Sequence, residues 1–226
     1  MSNDDARVIL ALAAEGNDEF IWDQLKKIQV GMFAAGPVQI KFAYFGREGA
    51  LQTRPCITTN WITDADDMQD IMDRGRAGCV CGCYVNVTDI LEQALREAQR
   101  APMQAVVIIG DHFCCDEHAL ALAKQLREAG TRLFLFQQIL RARSSDAEHA
   151  FKLAKETGGA FFQFNPAVER VAERLPGILE AVTHFAIGGT DALTHAQDNE
   201  SALLLLEQML ERQEISQASE RSCASE

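Results

Sequence analysis

Three short runs, Arg7–Leu12 ("RVILAL"), Gln104–Ile109 ("QAVVII") and Thr131–Phe136 ("TRLFLF"), are apolar at nearly every position. A strand with one face in water alternates apolar and polar residues, so an unbroken apolar run demands cover on both faces. Each run has the length of a strand and is too short for a buried helix. Segments of helical period lie between them. In Asp18–Ala34, Ile21, Leu25, Ile28 and Met32 recur at spacings of four, three and four, which makes one apolar stripe. Asn17 is a natural N-cap for this helix, and Asp18 and Glu19 complement its positive end.

The same reading predicts helices over Asp64–Arg74, Asp89–Arg100 and Asp116–Ala129, and from Ser145 or Asp146 to Thr157. A further helix runs from Pro166 to about Ile187, broken or kinked at Leu175–Gly177, and a last one covers Ser201–Arg212. Val38–Phe45 ("VQIKFAYF") alternates with period two, and Ala160–Phe164 is a short final strand. Ala50–Ile57 is predicted as an antiparallel edge strand, because Pro55 has no N–H for a central ladder. Alternating strands and helices of this kind predict an α/β fold, a doubly wound three-layer sandwich. Its sheet is mostly parallel and six-stranded, with one antiparallel edge.

The 226 residues suffice for one large domain with a substantial core. A net charge of −12 with scattered basic residues excludes a phosphate-tracking surface, so no nucleic acid partner is expected. "MSNDDAR" is acidic where a secretory signal is positive, and "ALLLLEQML" falls far short of the ~20 residues that span a bilayer. Seven cysteines, an odd number, do not look like a disulfide framework. These features predict a cytoplasmic protein with reduced thiols and no membrane partner.

The order of motifs adds a further constraint. A strand, an acidic tip, a helix and a hairpin precede "NVTDILEQAL", "AVVIIGDHFCCDE", "EAGTRLFLFQ" and "FKLAKETGGAFFQF". The first helix carries "WDQ", "IQ" and "MF", and Ala186–Leu193 closes with "GGTDAL". In this order the chain resembles a von Willebrand factor type A domain of the bacterial, uncharacterised kind, over about residues 7–187. The expected organisation is such a domain over residues 1–190, a helical extension over 191–213 and a disordered tail over 214–226.

The resemblance implies one divalent cation at the C-terminal rim of the sheet. Its ligands would come from an Asp-x-Ser-x-Ser motif after the first strand, a threonine before the third helix and an aspartate after the fourth strand. Hydroxyl and carboxylate oxygens suit a hard ion such as Mg²⁺. Carried onto this chain, the motif falls on Ala13, Glu15 and Asn17, the threonine on Thr88 and the aspartate on Asp111. Ala13 offers no oxygen. Glu15, Asn17, Thr88 and Asp111 remain as a degenerate metal site, with Asp89 nearby. Alternatively, Asn17 only caps a helix and Asp111 is held by backbone amides.

The cysteines leave three readings open. Cys79, Cys81 and Cys83, and separately Cys114 and Cys115, are small buried hydrophobes, zinc ligands with His112 or His118, or reactive thiols near a helix N-terminus. The function expected is therefore an intracellular interaction module or scaffold. It would bind an unidentified protein partner, with no cofactor or a weakly held Mg²⁺, and is more a binding protein than an enzyme. The alternative is a thiol-dependent enzyme or a zinc or redox sensor built on those cysteines.

Overall fold

The computed structural model describes residues 5–13, 19–45, 56–78, 85–110, 113–114, 116–139, 144–164, 174–195 and 199–209. Its strands are β1 (Ala6–Ala13), β2 (Val38–Phe45), β3 (Cys56–Ile62), β4 (Val85–Asn86), β5 (Ala105–Gly110), β6 (Phe113–Cys114), β7 (Arg132–Gln138) and β8 (Ala160–Phe164). Six of them form one sheet in the order β3-β2-β1-β5-β7-β8, and β4 pairs with β6 apart from it. The three apolar runs are parallel neighbours: Leu10 lies beside Val107, and Val107 beside Phe134. Among the described strands, only β3 runs antiparallel, against β2.

Helices α1 (Glu19–Ala34), α2 (Ala65–Gly78), α3 (Val87–Arg100), α4 (Glu117–Glu128), α5 (Ser144–Thr157) and α6 (Leu175–His195) fill both faces, joined by α7 over residues 200–209. Side chains of a strand alternate in direction, so each apolar run feeds two cores. Val8, Leu10, Leu12, Val107 and Phe134 pack under α1 (Leu25, Ile28) and α6 (Leu179, Val182), with Leu205 of α7. Ile9, Ala11, Val106, Ile108 and Leu135 pack under Leu91 of α3, Leu122 of α4 and Leu153 of α5. All five β1 residues named here are completely buried, which is why the run tolerates no polar residue. Among the described residues, no helix is long and apolar enough to cross a membrane.

Two boundaries depart from expectation. The antiparallel edge was placed at Ala50–Ile57, whereas the described strand is Cys56–Ile62; residues 50–55 lie outside the described residues. A bulge hid it. Ala43 faces Thr58 and Lys41 faces Trp61, so Thr59 and Asn60 together oppose Phe42. Thr59 Oγ1 accepts the Phe42 N–H at 3.0 Å, replacing the missing ladder bond. The extra residue shifts Trp61 onto the face of Cys56 and destroys the period-two signal. At the C-terminal side, α6 opens at Leu175, where a break or kink is expected, and runs past the expected end at Ile187 to His195. A further break lies at Gly188 and Gly189, where φ reaches +68° at Gly189. The start expected at Pro166 lies outside the described residues, as does the 214–226 tail.

The α3 face turns polar over β2 and β3. Glu97, buried on α3, accepts from Lys41 Nζ at 3.0 Å, Arg7 Nη2 at 3.1 Å and Trp61 Nε1 at 3.2 Å. The Arg7 guanidinium also lies 4.0 Å above the Trp61 ring. One carboxylate thus ties β1, β2 and β3 to α3.

Candidate functional site

From β1 the chain moves to β2 on one side of the sheet, while β5 leads to β7 and β8 on the other. The order reverses between β1 and β5, and in open α/β sheets ligands gather beyond the C-terminal ends of the strands at such a point. Ala13 and Gly110 are paired at that end. The segments that follow them carry Glu15, Asn17, Asp111 and His112, which lie outside the described residues. Cys79, Cys81, Cys83 and Cys115 also lie outside, as does the side chain of Cys114.

Thr88 is the expected ligand whose surroundings are described. It sits buried in the first turn of α3, and its Oγ1 donates to Asp116 Oδ1 at 3.4 Å. The two-residue strands put it there. Val85 pairs with Phe113 and Asn86 with Cys114, so the chain just before α3 is laid against the chain just after β5. Among the described residues, no three His, Cys, Asp or Glu side chains are grouped to hold a metal.

Asp116 is the rim carboxylate that this arrangement uses. It is the N-cap of α4, and its Oδ1 accepts the Ala119 N–H at 2.8 Å. That bond, followed by the Thr88 hydroxyl and the His118 charge, outweighs a small desolvation and holds the Asp116 carboxyl below the usual range. Asp89, one residue after Thr88, moves the other way. Partial burial and then the Glu92 charge push its carboxyl up, against the pull of Arg96. His118 Nε2 lies 3.3 Å from Glu92 Oε1 and bridges α4 to α3, while Arg96 reaches the same Glu92 at 3.6 Å. The rim therefore presents a mixed-charge surface around a capped helix start.

Replacing Asp116 with alanine should cost about 1 kcal/mol, because the first turn of α4 loses its cap. Asp116→Asn should retain most of that. The charge-dependent part of the cap is present above the unfolded carboxylate range. It is lost as pH falls through the lower folded value, so the gap between melts of wild type and Asp116→Asn should hold above the ordinary aspartate value near ~3.9 and shrink below it.

Cys56, at the start of β3, bears on the thiol reading. Burial first, then the Asp89 charge, push its thiol up to about 12, with Arg96 opposing. A thiol of that kind stays protonated at neutral pH and is a poor nucleophile.

The pairing of Thr88 with Asp116 was not visible in the sequence, since the partners are 28 residues apart. The helix start at Asp116 was visible.

No protein-family model and no curated protein matches the chain in sequence. Solved structures do match in shape. Human COPII-coat protein Sec24c superposes over 79% of this chain and 32% of its own, at 9% identity and a TM-score of 0.58. A von Willebrand factor type A protein from Catenulispora acidiphila matches over 81% of this chain and 43% of its own, at 12% identity and a TM-score of 0.57. The SpRpn10 VWA domain matches over 75% of this chain and 92% of its own, at 16% identity and a TM-score of 0.53. The chain thus spans about a third of Sec24c and less than half of the Catenulispora protein.

Proposed function

Given a chain with the von Willebrand factor type A fold, we propose that it is a cytoplasmic protein-interaction module that presents its C-terminal rim to a protein partner. In this reading divalent cation binding at the rim is weak or absent. The observation that carries it is the end of β1. The strand ends beside Gly110 with Ala13, whose side chain has no oxygen to give an ion. Two further features support it. Thr88 already shares a hydrogen bond with Asp116, and the rim surface mixes Glu92, Arg96 and His118 as a polar protein interface does. A coat protein sharing the fold is consistent with a part in an assembly. The net charge of −12 speaks against nucleic acid as the partner.

Binding is tested by affinity capture from the native host, with and without chelator. Glu92→Arg with His118→Glu should abolish capture of a protein that wild type retains in chelator. Capture that survives this rim variant would refute the reading.

Melting curves test the cation. A ligand stabilises by RT ln(1 + [L]/Kd), so a site with Kd near ~1 mM adds only about 0.4 kcal/mol at ~1 mM ion. Melts with and without ~1 mM Mn²⁺ should therefore agree within about two degrees. The combined Ala13→Asp, Glu15→Ser and Asn17→Ser variant should show a larger, chelator-reversible shift. A wild-type shift of many degrees, abolished by Asp111→Ala, would instead establish a metal-dependent site.

A second reading is a thiol or zinc site: β4 follows the Cys79–Cys83 stretch in the sequence and pairs with β6, which ends at Cys114. Mass-mapped alkylation separates the two. Uniformly slow labelling fits the interaction module, while one fast cysteine or zinc-protected labelling fits the thiol site.

A further inference from the structure

A cavity of about 200 Å³ lies over β7 and β8, on the face covered by α6 and α7 and two strands away from β1. Its floor is aromatic. Phe136 and Phe162 stack at 5.3 Å with their planes 12° apart, and Phe164 continues the surface. Leu175 and Ile178, from the start of α6, and Leu204 of α7 complete an apolar wall. Two polar residues, Arg174 and Gln163, are exposed and mark the mouth. Neither fills the space: Gln163 Nε2 donates to Gln137 at 3.0 Å, and Arg174 reaches Glu200 at 2.7 Å.

We propose that this cavity binds a small monocyclic aromatic carboxylate, with the ring on the Phe136–Phe162 floor and the carboxylate on Arg174. Size sets the first limit. A 150 Å³ cavity lined by Leu, Ile and Phe stays dry and takes up benzene, so this one has room for a single ring with a short side chain. Lining sets the second, because three phenylalanine side chains line the space and an added ring can meet them in edge-to-face or offset contact. The mouth sets the third. Arg174 has five N–H donors and pairs with Glu200 through one short contact. That pair is exposed, at 49% and 79%, so it is weak and a ligand carboxylate competes with Glu200 for the guanidinium. Leu204 and Glu200 both belong to α7, so the helical extension is what closes the site. This inference stands apart from the rim and does not depend on it.

Titration of the full chain with phenylacetate, followed calorimetrically, tests the site. Saturable one-to-one binding is expected at about millimolar Kd or tighter, the range for a ligand of this size. Leu204→Phe fills the cavity and should weaken binding at least ~10-fold while leaving the melting temperature unchanged or higher. Arg174→Gln, an exposed change, should weaken phenylacetate about fivefold and leave benzyl alcohol unaffected. If Leu204→Phe fails to fold, the Arg174→Gln comparison decides. No saturable binding at ~20 mM, unchanged affinity in a folded Leu204→Phe, or equal loss of both ligands in Arg174→Gln would each overturn the proposal.

Discussion

Replacing Glu97 with alanine should lower the stability of this protein by about 3–5 kcal/mol, the range for breaking a buried ion pair by removing one partner. Glu97 is only 3% exposed, and its carboxylate faces Lys41 and Arg7, themselves nearly buried. Without it two cations and the Trp61 N–H lose their acceptor in a low-dielectric corner, where desolvation is not recovered. The melting temperature should fall by roughly ten degrees or more. Pairing the change with Lys41→Met should restore part of the loss, since an apolar replacement of both charges avoids the orphan.

Burial opposes ionisation of Glu97, but the Lys41 and Trp61 hydrogen bonds and the Arg100 charge outweigh it and hold the carboxyl below the usual range. The stability this adds is complete above the unfolded glutamate value near ~4.3 and is lost as pH falls through the lower folded value. Calorimetric melts of wild type and Glu97→Gln from pH 7 to 3 should differ by a constant amount until about pH 4.5 and then approach each other. A constant gap down to pH 3, or a Glu97→Ala loss under ~1 kcal/mol, would show that the network contributes little.

Gly159→Ala should be the other severe change. A Cβ there would overlap Leu133 O and stand 2.7 Å from Leu133 C, both in the backbone of β7. These are main-chain atoms of a strand buried from Leu133 to Gln138, so no side chain can swing away. The cost should reach or exceed the upper end of the ~1–3 kcal/mol typical of overpacking, with β8 displaced from β7. Gly130→Ala is the control. Its φ of +81° strains an L-residue, but nothing lies within 4 Å, so about 1 kcal/mol is expected. Equal denaturation midpoints for the two variants would contradict this account.

The Glu97 cluster also marks the limit of reading the chain as a string. Its partners Arg7, Lys41 and Trp61 lie 90, 56 and 36 residues away, and nothing local in "EQALREAQR" announces them. The bulge at Thr59 and Asn60 was hidden for a related reason: an extra residue in one strand has meaning only against its partner. At the rim, Asp116 could be read as a helix start from its own neighbours, whereas its bond to Thr88 depends on β4 lying against β6.

What the residue order alone decides here is local and periodic. Unbroken apolar runs require burial on both faces, and the four-three-four spacing of α1 requires a helix with one buried stripe. From these the three-layer sandwich and the parallel centre of its sheet follow, and so does the alanine at the end of β1. Contacts between distant segments belong to the assembled fold. The Glu97 ion cluster, the Thr88–Asp116 bond and the aromatic cavity closed by α7 exist only once the sheet order is set. Their energies come from desolvation and shape, which depend on what the chain brings close and not on what stands next in line.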